Sequence, residues 1–146
     1  MQILVDADAC PVKNIIIQTA RANTIPVIMF IDTSHELSDG YSTIIIVEKA
    51  KESVDIALIN RVKSGDIVIT QDYGLAAMAL AKSAYVLNQN GLQFTNGNID
   101  QLLMERHIAQ KIRRSGKRTK GPSKRTKEDD ERFAGALCRV IEQCKA

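Results

Sequence analysis

Five short runs rich in β-branched residues punctuate the chain: Ile3-Leu4-Val5, Val27-Ile28-Met29-Phe30-Ile31, Ile44-Ile45-Ile46-Val47, Ile67-Val68-Ile69 and Tyr85-Val86-Leu87. Apolar on successive rather than alternate residues, each suits a strand buried on both faces. Segments of helix length lie between most of them, at about 11–23, 53–63 and 73–82, with two more at about 98–113 and 127–145. Strands alternating with helices imply an α/β fold: one mainly parallel, five-stranded sheet covered on both sides. The 146 residues suit a single domain spanning 1–146. The stretch 32–43 reads as a loop.

Helix ends are written locally. Pro11 fits a first helical position, Asn98 with Gln101 resembles a capping box, and so does Thr126 with Asp129. Phe133, Leu137, Val140, Ile141 and Cys144 share one face, so the last helix is expected to dock on the sheet layer. Three cysteines without C-x-x-C spacing suggest reduced thiols. No apolar run approaches the ~18 residues of a membrane span, and Asp6 and Asp8 stand where a signal peptide needs an apolar stretch. A cytoplasmic protein without membrane contact is expected.

In open α/β sheets, acids just beyond a strand's carboxyl end stand at the functional edge. Asp6 and Asp8 follow the first run, and if the chain stays extended the period of two puts both carboxylates on one side. Asp72 follows the fourth run and leads into a helix, where a simple capping role is equally open. Asp55 is harder to explain as structure. At about 100° per residue it falls between Leu58 and Val62 on one side and Ile59 on the other, inside the apolar stripe. A core-facing carboxylate is disfavoured unless it is paired or reaches a polar cleft.

Carboxylates that meet repel one another unless a cation neutralises them. An all-oxygen donor set of Asp6, Asp8, Asp55 and Asp72 favours Mg²⁺ or Mn²⁺ over zinc. Hydrolysis of a phosphate ester is the matching chemistry, with Asp8 or Asp72 as candidates to orient the attacking water.

Charge is segregated as well. Residues 111–127 carry nine basic and no acidic side chains, against eight and twelve in residues 1–110. The stretch from about 113 to 127 has no large apolar residue and contains Gly116, Gly121 and Pro122, so it reads as a flexible basic loop. Lys117, Arg118, Lys120, Lys124 and Arg125 are its candidate phosphate contacts, on RNA before DNA, through counterion release. A merely solvated loop is the plainer alternative. With only Phe133 nearby, base stacking is not supported.

Four segments, taken in order, carry a resemblance: Ile3-Leu4-Val5-Asp6-Ala7-Asp8-Ala9-Cys10-Pro11-Val12-Lys13; Ser53-Val54-Asp55; Gly65-Asp66-Ile67-Val68-Ile69-Thr70-Gln71-Asp72-Tyr73-Gly74-Leu75-Ala76; and the basic stretch ending in Arg132-Phe133. Together they resemble the YaiI/YqxD family of bacterial proteins over essentially the whole chain. The resemblance implies a PIN-like, three-layer α/β/α sandwich with an acidic metal pocket, in which Asp6, Asp55 and Asp72 take the acid positions and Thr70 belongs to the T-x-D motif beside the substrate. The further helical acid usual in PIN nucleases has no clear match. Glu36, Asp39 and Glu52 are poor candidates, and Asp8 stands in.

The function expected is a Mg²⁺- or Mn²⁺-dependent nuclease. The alternatives are a non-catalytic RNA-binding module and a haloacid-dehalogenase-like phosphatase, suggested by Asp6-x-Asp8 but weakened because Gly65-Asp66 precedes a strand instead of following one. His35 and His107 have no partner at ligand spacing and are expected to be surface or helix-end residues without a catalytic role.

Overall fold

A computed structural model describes residues 1–32, 38–48, 53–116 and 124–146. Its sheet has the order β3-β2-β1-β4-β5-β6, built from β1 (Ile3–Asp6), β2 (Val27–Asp32), β3 (Thr43–Val47), β4 (Ile67–Ile69), β5 (Tyr85–Leu87) and β6 (Gln93–Phe94). Every pairing is parallel except β5 with β6. The five expected strands are present. The sixth is a two-residue antiparallel edge, too short to leave a periodic signal in the sequence.

Among the described residues five helices complete the fold: α1 (Lys13–Ala22), α2 (Val54–Ile59), α3 (Tyr73–Ala81), α4 (Ile99–Arg114) and α5 (Lys127–Lys145). The period of two divides each central strand between two cores. Ile3, Val5, Val27, Met29, Ile67 and Ile69 pack with α1 and α5, whereas Leu4, Ile28, Phe30, Val68 and Val86 pack with α2, α3 and α4. Helices on both faces of a mostly parallel sheet give a three-layer α/β/α sandwich. Among the described residues no helix is long and apolar enough to cross a membrane.

Local signals succeed where the partner is local. Thr126 and Asp129 form the expected capping box of α5. Pro11, by contrast, is not in α1, which begins at Lys13. Ala9 takes a left-handed backbone (φ 56) and the Cys10 N–H bonds to the Ala7 carbonyl, a turn that delays the helix. Asn98 forms no box with Gln101. Its side chain accepts from the Thr95 N–H and donates to the Gln93 carbonyl, tying α4 to β6. Helix α2 stops at Ile59 instead of 63, because Arg61 and Val62 bond back three residues in a tighter turn.

The turn from β5 to β6 lies against α5. Asn88, nearly buried, accepts from the backbone N–H groups of Asn90 and Leu92 through Oδ1. Gly91 follows with φ +87, and a Cβ there would stand 2.9 Å from the Arg132 carbonyl oxygen. Both the left-handed backbone and the close helix require glycine. Gly91→Ala is expected to destabilise the fold by about 1–3 kcal/mol, read as a lower urea midpoint with an unchanged m-value.

Candidate active site

Strand order reverses between β1 and β4, so a crevice opens at their carboxyl ends. The register that aligns Val5 with Ile69 brings Asp6 level with Thr70. Thr70 is buried; its hydroxyl donates to Asp6 Oδ2 at 3.1 Å and accepts from the Asp72 N–H at 3.0 Å. The residue expected to face substrate is therefore committed to holding the two acids in place. Asp72 is at once cap and site residue: its Oδ1 accepts from the Leu75 N–H at 3.1 Å at the start of α3. Gly74 keeps space for that carboxylate, since a Cβ would lie 3.2 Å from Oδ1.

Asp55 stands half-buried on α2, whose first turn is capped by Ser53. Its carboxyl lies within hydrogen-bonding reach of that of Asp72. Burial, this contact and the negative charges of Asp72 and Asp6 push its pKa up to about 6. Burial likewise raises Asp6, opposed by the Thr70 hydrogen bond and assisted by the charges of Asp8 and Asp72. Three acids from separate segments thus meet, as the stripe position of Asp55 led one to expect.

Asp8 lies slightly apart. Its Oδ2 accepts from the Asp32 N–H at 3.1 Å, turning it toward the end of β2, and it lines a small recess with Asp6, Cys10, Thr70 and Gln89. Asp32 ends β2 as a buried acid, although the sequence placed it at the start of a loop. Among the described residues no group of three or more His, Cys, Asp and Glu side chains is arranged to hold a metal ion. The acids stand as the Asp55–Asp72 pair with Asp6 beside it. The chemistry of the donor set, carboxylate oxygens whose mutual charge is unfavourable, still fits an oxygen-preferring divalent cation.

A second group joins them. An open cleft of about 520 Å³ is lined by Asp6, Gln71 and Asp72 on one side and by Leu103, Arg106, His107 and Gln110 on the other. The four α4 residues follow the i, i+3, i+4, i+7 pattern of one helix face. His107, expected at the surface or a helix end, is exposed on this wall. The signal was legible in the α4 periodicity, but nothing in the sequence said which element that face would meet.

The basic segment is corrected in part. Lys117, Arg118 and Lys120 lie outside the described residues, as do His35, Glu36 and Glu52. Lys124 is exposed. Arg125 is no loose phosphate contact: its guanidinium bonds to Asp130 at 2.7 Å, to Asn90 Oδ1 at 2.9 Å and to the Gln89 carbonyl at 2.9 Å. Three acceptors around one planar fork make it a clamp between the β5–β6 turn and α5. Arg113 and Arg114 close α4 instead of opening a loop, favourable to the helix dipole. Phe133 is wholly buried core.

The model of the uncharacterized YaiI/YqxD family matches residues 4–143. The chain belongs to this family. Among its relatives, a UPF0178 protein of Ruminiclostridium cellulolyticum is 66% identical over 97% of this chain and 92% of its own length. One from Clostridium acetobutylicum is 53% identical over 97% of each chain, and one from Clostridium kluyveri is 52% identical over 97% of this chain and 93% of its own. No solved structure matches the chain.

The raised Asp55 pKa carries a stability consequence. The folded state holds this proton more tightly than the unfolded chain does, so the contribution is complete below about pH 4 and lost as pH rises through about 6. In EDTA, Asp55→Asn should melt several degrees above wild type near pH 7.5 and close to it near pH 4, as followed by circular dichroism.

Proposed function

We propose that this YaiI/YqxD family protein is a Mg²⁺- or Mn²⁺-dependent nuclease that hydrolyses phosphodiester bonds, with RNA as the first candidate substrate and DNA the second. The observation that carries the reading is the convergence of Asp6, Asp55 and Asp72 at the crevice between β1 and β4, with Asp55 forced to hold a proton at an abnormally high pH. Carboxylates gathered at such cost in burial and repulsion are characteristic of a functional site. The PIN-like kinship implied by the sequence resemblance agrees with it.

Asp6, Asp55 and Asp72 are the residues to hold the ion, with Asp8 supporting from the adjoining recess. When bound, a divalent cation supplies Lewis-acid polarisation of the phosphate and a more acidic water. The protein's own contribution is positional. Thr70 orients Asp6, the α3 cap orients Asp72, and the open cleft beside them leaves room for a phosphodiester. Asp72 or Asp8 is the candidate to orient the attacking water.

A phosphatase of the haloacid-dehalogenase kind draws less support. Asp66 is spent at the other end of β4, accepting from the Gln2 and Lys63 backbone N–H groups. The non-catalytic RNA-binding reading has one observation in its favour: among the described residues no three acids are arranged to hold a metal ion.

Purified protein incubated with Mn²⁺ and mixed RNA and DNA oligonucleotides is expected to cleave, and Asp6→Asn to lose about 10²–10⁴-fold of the rate. Thr70→Val keeps the shape but drops the hydrogen bond to Asp6, and should cost about 10–100-fold. No cleavage by wild type, with RNA binding intact in Asp55→Asn and Asp72→Asn, would hand the case to the binding module.

A further inference from the structure

Helix α4 carries few of the marks of a core helix. Ile99 in its first turn is its one buried residue, and beyond it the side chains are exposed or half-exposed. It nevertheless walls two neighbouring clefts. The first, of about 520 Å³, reaches Asp6 and Asp72. The second, of about 550 Å³, is lined by Tyr73, Leu102, Glu105, Arg106, Ala109 and Arg113. Tyr73 and Arg106 line both, so the two clefts flank the Arg106–Tyr73 contact and adjoin there as a trough passing over it.

Arg106 is built into this trough. Its guanidinium carbon lies 5.2 Å from the centroid of the Tyr73 ring, and Tyr73 is itself braced by Phe94 in an edge-on contact at 5.3 Å. A cation held over an aromatic face has already surrendered much of its rotamer freedom. Among the described residues no carboxylate forms an ion pair with it. Glu105, the nearest acid along the helix, is engaged by the Gln101 amide at 3.1 Å. An acidic floor facing a guanidinium that no carboxylate of the described residues pairs is bipolar, as a strand with a phosphate at the wall and its scissile bond at the floor requires.

Resting on the nuclease reading, we infer that this trough is the path of a single-stranded polynucleotide, with Arg106 gripping a phosphate next to the one cut and the Arg106–Tyr73 pair offering a surface for an unpaired base. A guanidinium plane on an aromatic ring is a platform on which bases stack whatever their sequence. Two clefts adjoining at Arg106, of which one reaches the acids and the other lies beyond it, favour an extended strand over a mononucleotide. His107 and Gln110 add polar groups on the same wall. Arg106 is a substrate-binding residue here, whereas Arg125 is structural.

The test is fluorescence anisotropy of a labelled single-stranded RNA oligonucleotide in EDTA, over a salt series, with wild type, Arg106→Ala, Arg106→Lys and Arg139→Ala. Arg139 is exposed on α5, across the sheet from the trough. Arg106→Ala should weaken binding about tenfold and lower the salt slope by about one phosphate contact. Arg106→Lys should restore the slope but only part of the affinity, and Arg139→Ala should match wild type. Absence of single-strand binding, a preference for duplex, or Arg106→Ala equal to wild type in affinity and slope each overturns the inference. Cleavage in Mn²⁺, measured separately, keeps the two ideas apart. Arg106-dependent binding without cleavage sinks the nuclease and spares the trough; cleavage indifferent to Arg106→Ala does the reverse.

Discussion

The pairing of β1 with β4 at the centre of the sheet is the constraint on which the site depends. It sets the Thr70 hydroxyl beside Asp6, and the same oxygen accepts from the backbone of Asp72. One buried hydroxyl thereby links a strand end to a helix start. Asp72 caps α3 with one oxygen and lies within hydrogen-bonding reach of Asp55. Each acid is costly to bury alone. The cost is offset by a bond to threonine and a bond to the helix backbone.

The cationic residues divide into two kinds by what surrounds them. Arg125 has three acceptors and holds the β5–β6 turn against the start of α5, beside Gln89, which lines the recess shared by Asp6 and Asp8. It therefore contributes to the shape of the acidic edge. Arg106 is braced by an aromatic ring and has no anionic partner among the described residues. Both are arginines on or near the basic stretch, and only the neighbours distinguish structure from recognition.

The fold was largely legible because its main signals are periodic. Alternate residues of β1, Ile3 and Val5 against Leu4, enter opposite cores, so an unbroken apolar run was a sound sign of a strand covered on both sides. The Thr126 box was equally readable, since cap and partner sit three residues apart. Pro11 and Asn98 misled for the converse reason. Ala9's left-handed turn displaced the helix start at one, and β6 competed for the side chain at the other. Asp55 was legible as anomalous because an acid in an apolar stripe conflicts with its own helix.

Sequence by itself determined which segments become strands and helices, that the sheet is parallel, and that several acids fall at strand ends, because these follow from the spacing of side chains along one chain. The tertiary structure decided the rest. Strand order made Asp6 and Thr70 neighbours, the lie of α2 brought Asp55 to Asp72, and α4 placed Arg106 and His107 opposite them. Those relations join residues far apart in the chain, and only packing the layers establishes the distances through which charge and hydrogen bonds act.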